Sequence, residues 1–487
     1  MKSKLLLLII FISKIFVMSI PLKKVTQNDV ILLNNGSTCS ELNSKGRCSL
    51  DCPCLKAEQC CSKHGYCGTT SNYCNDPLVS ITTEKTTITT KKNIITTTIK
   101  KTTTTNKITT TKKTTTKKIT TTTIDNSSIN TYSANAGIVI YLPNYNLGSS
   151  NILDFDFTNI DVVNYSFFRL NDNGEPYSTY NSVDFKNKAI YYLNNDIKKK
   201  YPKLRTVLSF GGGSGSGNFG SVLNTDAKIK TVAKNIKNII NELKFDGVDI
   251  DWEFPNNETE IKNLLTLLKK LRSYLGNNKI LTISASASPS KYQGYSNKFV
   301  KYVNWFNIMT YNYAGSWHEY TGYNSPLYSP SKDLNGQKSC HETTSIYINE
   351  GVPASRLVIG GAFYGREWKV NSSTNNGYNQ VGTTNGCGAP GYTNGSWSYK
   401  ALREQNILSS PKVATSPWIR TWHSDVKSPT LFNPNTNRYI SYDDTDSMCE
   451  RAAYVKKNKF AGVMVWEVGL DYKRELLNRL IRCYQKY

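Results

Sequence analysis

Three acids, Asp249, Asp251 and Glu253, stand at alternate positions within the run FDGVDIDWEFP. In an extended strand successive side chains point to opposite faces, so these three share one face while Val248, Ile250 and Trp252 share the other. Carboxylates this close cannot all ionise cheaply, so at least one keeps its proton near neutral pH on a group with a raised pKa. A protonated carboxyl beside ionised ones is what general acid catalysis requires. Asp246 falls outside the alternation and reads as a structural residue at the strand entrance. A calcium loop is the competing reading, with Glu260 at its twelfth position, but Phe254 fills the sixth, where that loop needs glycine. A solvated acidic face fits less well, because the intervening residues are apolar.

The elements that position these acids are legible from Gly137 onward, where short apolar runs alternate with helical patterns. AGIVIYLP, VVNYSFF, TVLSFGGG, GVDIDWEF, ILTISASA, WFNIMTY, LVIGGAFYG and AGVMVWEV are the candidate strands. Between them Ile229, Val232, Ile236, Ile239, Ile240 and Leu243 follow helical spacing, as do Ile261, Leu264, Leu265, Leu268 and Leu271. Eight strand–helix units predict an α/β fold, a (β/α)8 TIM barrel. Such barrels carry their chemistry at the carboxyl ends of the strands, where Glu253, Gly211, Gly212, Gly213, Tyr311 and Trp466 fall. Ser209, Gly211 and Gly212 read as packing at a tight strand-end turn. Between the seventh strand, ending near Phe363, and the eighth, starting near Ala461, the chain is longer than one helix needs. This predicts an inserted subdomain over 368–444 that forms one wall of a cleft. Trp305, Trp368, Trp418 and Trp422 read as core residues.

The rest of the 487-residue chain has a different character. Residues 1–20 carry Lys2 and Lys4 ahead of an apolar run from Leu5, which reads as a secretory signal, and Lys14 interrupts the run too early for a membrane anchor. Twelve cysteines suit an oxidising compartment. Cys39, Cys48, Cys52, Cys54, Cys60, Cys61, Cys67 and Cys74 crowd into a small disulfide-rich module over 36–76, while Cys340, Cys387, Cys449 and Cys483 leave room for one or two further bridges. Residues 77–133 are threonine, lysine and isoleucine with few aromatics, a spacer that cannot bury enough surface to fold. Much of the net charge of +24 lies in its lysines, such as Lys91, Lys92, Lys100, Lys101, Lys112 and Lys113, so the charge does not argue for a nucleic-acid partner. His64, His318, His341 and His423 are the only histidines and none is paired at ligand spacing, so no metal or other cofactor is expected. Sequons at Asn35, Asn126, Asn257, Asn371 and Asn394 suit a secreted glycoprotein.

DGVDIDWEFP resembles the D-G-x-D-x-D-x-E signature of glycoside hydrolase family 18, the chitinases. LSFGGG, MTYNYAGSW, AFYGREW and GVMVWE resemble its third, sixth, seventh and eighth strand motifs, and YISYDD resembles the end of an α+β insertion domain found in one branch. The resemblance spans residues 136–483 and implies a catalytic domain over 134–487. It also implies a retaining, substrate-assisted mechanism in which the substrate's own N-acetyl group is the nucleophile. Glu253 is then the acid and base, Asp251 orients the acetamido N–H, Asp249 shares a proton with Asp251, and Tyr311 holds the acetamido carbonyl. The same motifs put Trp466, Tyr141, Met309, Asn312, Trp317 and Arg366 at the substrate. Asn312 departs from the usual Asp, removing a charge beside Glu253 and lowering its pKa.

CCSKHGYCGTTSNYC resembles the hevein-type chitin-binding module, whose sugar-gripping positions fall on Ser62, His64, Tyr66 and Tyr73. His64 replaces the usual aromatic, which weakens stacking there. Together these resemblances imply a secreted, extracellular, monomeric chitinase that binds chitin and chitooligosaccharides, with no nucleic-acid partner and no membrane attachment after signal cleavage. Two rivals stand beside it: a catalytically inactive chitin-binding lectin, and an endo-β-N-acetylglucosaminidase acting on N-glycans.

Overall fold

The computed structural model describes residues 135–147 and 151–487, together with the short antiparallel strands Cys60–Cys61 and Cys67–Gly68. The signal segment, the spacer, Ser62, His64, Tyr66, Tyr73 and the remaining cysteines of the cluster lie outside the described residues, and of Cys60, Cys61 and Cys67 only the backbone is described.

Seven parallel barrel strands come first in the large domain: β1 (Gly137–Pro143), β2 (Val162–Leu170), β3 (Arg205–Gly211), β4 (Gly247–Asp251), β5 (Ile280–Ala285), β6 (Trp305–Ile308) and β7 (Leu357–Ala362). Among the strands that precede β13 (Gly462–Trp466) are β8 (Tyr364–Val370), β9 (Ser396–Ser398), β10 (Ile419–His423), β11 (Ser428–Asn433) and β12 (Arg438–Ser441). Strands β1 to β7 pair in parallel in chain order, β7 pairs with β13, and β13 pairs back to β1, which closes an eight-stranded parallel barrel. The runs are nearly continuous in apolar residues because these strands are buried on both faces. Val139, Val207, Val358 and Met464 fill the barrel, while Ile138, Val248 and Ile250 pack outward into the core shared with the helices.

The flanking helices follow the predicted spacing. Thr225 caps α1 (Asp226–Glu242), which buries Ile229, Val232, Ile236 and Ile240. Asn257 caps α2 (Glu258–Leu275), which buries Ile261, Leu264, Leu268 and Leu271. Longer helices of the outer layer also include α3 (Cys340–Asn349), α4 (Thr445–Lys457) and α5 (Glu475–Lys486). Asp246 sits just ahead of β4 and accepts from Lys198 Nζ at 2.6 Å and the Thr206 N–H at 2.8 Å, as befits an entrance residue.

Between β7 and β13 lies an antiparallel sheet in the order Gly382–Thr383, β8, β12, β11, β10, with β9 also pairing to β8. Its first strand begins at Tyr364, so Trp368 lies within β8, fully buried against Val370, Phe432 and Tyr439. At its centre the buried Glu367 accepts from the Gly388 N–H at 2.6 Å, Trp397 Nε1 at 2.8 Å and Arg438 Nη1 at 2.9 Å. Trp305 is fully buried, whereas Trp418 and Trp422 are only partly so. Of the four scattered cysteines, Cys449 and Cys483 are bonded and staple α4 to α5, while Cys340 and Cys387 are buried free thiols.

Candidate active site

The three acids leave β4 on the face expected from alternation. Asp249 is fully buried inside the barrel, Asp251 is the last strand residue, and Glu253 lies two residues beyond. In-register neighbours bring Ser209 of β3 and Thr282 of β5 beside Asp249. Its carboxylate accepts from Ser209 Oγ at 2.8 Å, Tyr141 Oη at 3.0 Å, Ser284 Oγ at 3.0 Å, Thr282 Oγ1 at 2.6 Å and Asn307 Nδ2 at 3.2 Å. These five polar groups surround both oxygens of Asp249. Asp251, one step nearer the cavity, is coupled to Asp249 through space, with the Ser284 hydroxyl beside both. Ser209 thus does more than pack a turn. The turn reading holds for Gly211 and Gly212, which adopt φ of 113° and 77°.

Above Asp249 opens a cavity of about 290 Å³ lined by Asp251, Glu253, Tyr311, Asn312, Met309, Tyr141, Arg366 and Trp466 among others. Burial raises the Asp251 pKa well above the ordinary carboxylate range, reinforced by the charges of Glu253 and Asp249 and opposed by the Ser284 hydrogen bond. One buried oxygen of Asp251, Oδ1, has no hydrogen-bond partner. Burial also raises the Glu253 pKa, while the Gly213 backbone N–H bonded to its carboxyl pulls the other way. Burial likewise pushes the Tyr311 phenol upward, so at neutral pH it carries a proton to donate. Trp466 lines the cavity between Phe167, stacked at 5.6 Å, and Tyr141, tilted at 5.5 Å.

The β8–β9 edge of the antiparallel sheet walls one side. Asn312, in the left-handed region at φ 59°, accepts at Oδ1 from Tyr364 Oη at 2.7 Å and Arg366 Nη2 at 3.0 Å, and Arg366 also donates to Ser396 Oγ at 2.8 Å. Trp317 does not line the cavity. It is 57% exposed, with its ring folded over Gly315. Residues that sequence reasoning did not single out also line the cavity: Phe167, Ser284, Tyr364, Tyr392, Trp397 and Leu470. Polar residues at every second position of β5, Thr282 and Ser284, were the available signal for the interior donors.

A closed parallel barrel with paired, pKa-shifted carboxyls in a cavity at the carboxyl ends of its strands has the layout of a glycoside hydrolase. Residues 137–471 match Glycosyl hydrolases family 18, and the chain belongs to that family. Chitinase A1 of Niallia circulans is 32% identical over 310 residues, which is 59% of this chain and 43% of that protein. Chitinase 1 of Aphanocladium album is 28% identical over 363 residues, covering 69% of this chain and 81% of that one. Among solved structures, chitinase ChiA74 from Bacillus thuringiensis superposes with a TM-score of 0.64 at 25% identity, covering 72% of this chain and 70% of that one. A family 18 N-acetylglucosaminidase from Paenibacillus barengoltzii gives 0.62 at 26% identity, covering 72% and 100%.

Proposed function

We propose that the chain hydrolyses β-1,4 bonds between N-acetylglucosamine units of chitin with retention of configuration, using the substrate's acetamido group as nucleophile. The unpartnered, buried Asp251 Oδ1, in a cavity that also holds Glu253 and Tyr311, is the observation that carries this reading. An acetamido N–H supplies the donor that oxygen lacks, and the Tyr311 hydroxyl supplies a donor for the acetamido carbonyl. Protonated Glu253 gives its proton to the glycosidic oxygen as the C1–O bond breaks, and the acetamido oxygen attacks C1 to form an oxazolinium ion. Asp251 offsets the positive charge on the acetamido nitrogen. Glu253, now ionised, takes a proton from water as that water opens the ring at C1, which restores the acid. Asp249, hydrogen-bonded beneath Asp251 by Ser209, Thr282, Tyr141 and Asn307, is read as the partner with which Asp251 shares a proton.

The relatives named as chitinases support chitin as the substrate, as does the resemblance of residues 36–76 to a chitin-binding module. With the secretory signal and the spacer, the domain plan is a secreted enzyme whose module holds it at an insoluble surface while the barrel searches nearby chain. The sheet between β7 and β13 is read as the family's α+β insertion, and Trp317 as a sugar platform outside the cavity. Release of soluble oligomers from colloidal chitin, run beside Glu253→Gln, tests the reading. Wild type is expected to release product and the variant to lose rate by about 10³-fold while still binding chitin. Binding without release by wild type favours the lectin, and cleavage of glycoprotein N-glycans in place of chitin favours the endo-glycosidase.

A further inference from the structure

Glu253 lies beyond the last residue of β4, so the sheet supplies no ladder partner for its backbone N–H. That N–H is instead bonded, at 2.9 Å, to the hydroxyl oxygen of Ser216, a residue only 6% exposed in the glycine-rich turn after β3. The same hydroxyl reaches the carbonyls of Gly212 at 2.9 Å and Asp251 at 3.0 Å. Each carbonyl already accepts a backbone N–H, Gly212 from Gly215 and Asp251 from Gly212, both at 2.9 Å, so the single hydroxyl proton serves either. The contact that has no substitute is the one to Glu253.

The turn is built to bring Ser216 there. A Cβ on Gly211 would meet the Asp251 carbonyl at 2.1 Å, and one on Gly215 would meet the Gly211 carbonyl at 2.0 Å. From the far side Arg169 Nη2 holds Ser214 Oγ at 2.9 Å. Within this turn Gly213 lies against the Glu253 carboxyl, both of whose oxygens would be 3.7 Å from a Cβ placed there, so the turn meets the acid at both ends, main chain through Ser216 and side chain at Gly213.

We infer that Ser216 is a positioning residue for Glu253, fixing through its hydroxyl the backbone from which the acid reaches the glycosidic oxygen. This rests on the proposed role of Glu253 and adds a residue to it. A displacement on the order of 1 Å at the reacting centre costs about 10²-fold in rate. In the full-length chain, Ser216→Ala is therefore expected to lower kcat on soluble N-acetylglucosamine tetramer by roughly 10- to 100-fold with KM within about twofold, and Ser216→Thr to restore most of the loss. The Gly213 contact holds the acid's pKa down, so loosening the turn also moves the alkaline limb of the kcat profile to higher pH. Amide hydrogen exchange supplies a readout independent of activity: in Ser216→Ala the Glu253 amide exchanges about tenfold faster or more, while the amides of β4 keep their protection. Unchanged exchange at Glu253, or a Thr variant no better than Ala with kcat and KM worsening together, overturns the inference. A wild-type chain that cleaves no tetramer overturns the chitinase reading instead, and the exchange comparison still decides Ser216.

Discussion

Glu467 follows the cavity-lining Trp466, is 1% exposed, and has no cation among its hydrogen-bond partners; it accepts from Asn146 Nδ2 and the Gly469 N–H, each at 2.7 Å. Burial lifts its pKa from 4.5 to about 7, against the pull of those two donors. The folded chain therefore holds a proton that the unfolded chain releases across the window between those values. Stability contributed by this site is full below pH ~4.5 and falls as pH rises towards 7. At roughly 1.4 kcal/mol per pH unit the loss comes to about 3 kcal/mol. Glu467→Gln keeps the shape of the neutral acid, with Asn146 turning its amide to present oxygen, and cannot ionise. The variant should match wild type near pH 4.5 and exceed it by about 3 kcal/mol at pH 8. For a unit the size of residues 119–487 this is a Tm difference of about 4 °C, given roughly 2 cal/mol/K of unfolding entropy per residue. Parallel thermal melts of the two proteins from pH 4.5 to 8.5 read the difference directly, because every other titrating group is common to both. A difference that stays flat with pH, or that favours wild type at pH 8, refutes the reasoning.

Restoring a carboxylate at Asn312 adds a charge to the cavity that holds Glu253 and should move the alkaline limb of the rate profile upward, by less than about one pH unit because Arg366 lies 3.0 Å away. A downward movement in a pH–kcat series would count against the assignment of Glu253 as the acid. Removing the ring of Trp466, which Phe167 and Tyr141 brace, should raise KM for the tetramer about tenfold, equivalent to ~1.4 kcal/mol, with a smaller change in kcat. An unchanged KM would exclude it from the sugar site. The Cys449–Cys483 bridge spans 34 residues, so replacing both with serine should lower stability by roughly 3–4 kcal/mol, read by denaturant unfolding with and without reductant on the wild type.

The barrel strands were legible because each is a short apolar run buried on both faces, and α1 and α2 because their apolar residues recur at helical spacing. The acids were legible because strand alternation is strict: Asp249, Asp251 and Glu253 share a face whatever the surrounding fold does. The walls of the cavity were harder, since Phe167 lies within β2, Tyr364 begins β8, and Trp397 belongs to β9, so only closure of the barrel and pairing of β9 with β8 bring them together. Trp317 shows the opposite case, where a motif places an aromatic near the site and local packing over Gly315 turns it to the surface. Ser209, Thr282 and Ser284 lie between these cases. Each was visible as a hydroxyl inside an apolar strand, and the parallel register of β3, β4 and β5 turns that visibility into contact with Asp249. A buried carboxylate needs donors, and small hydroxyl residues two apart on adjacent strands are the sequence trace of a barrel that supplies them.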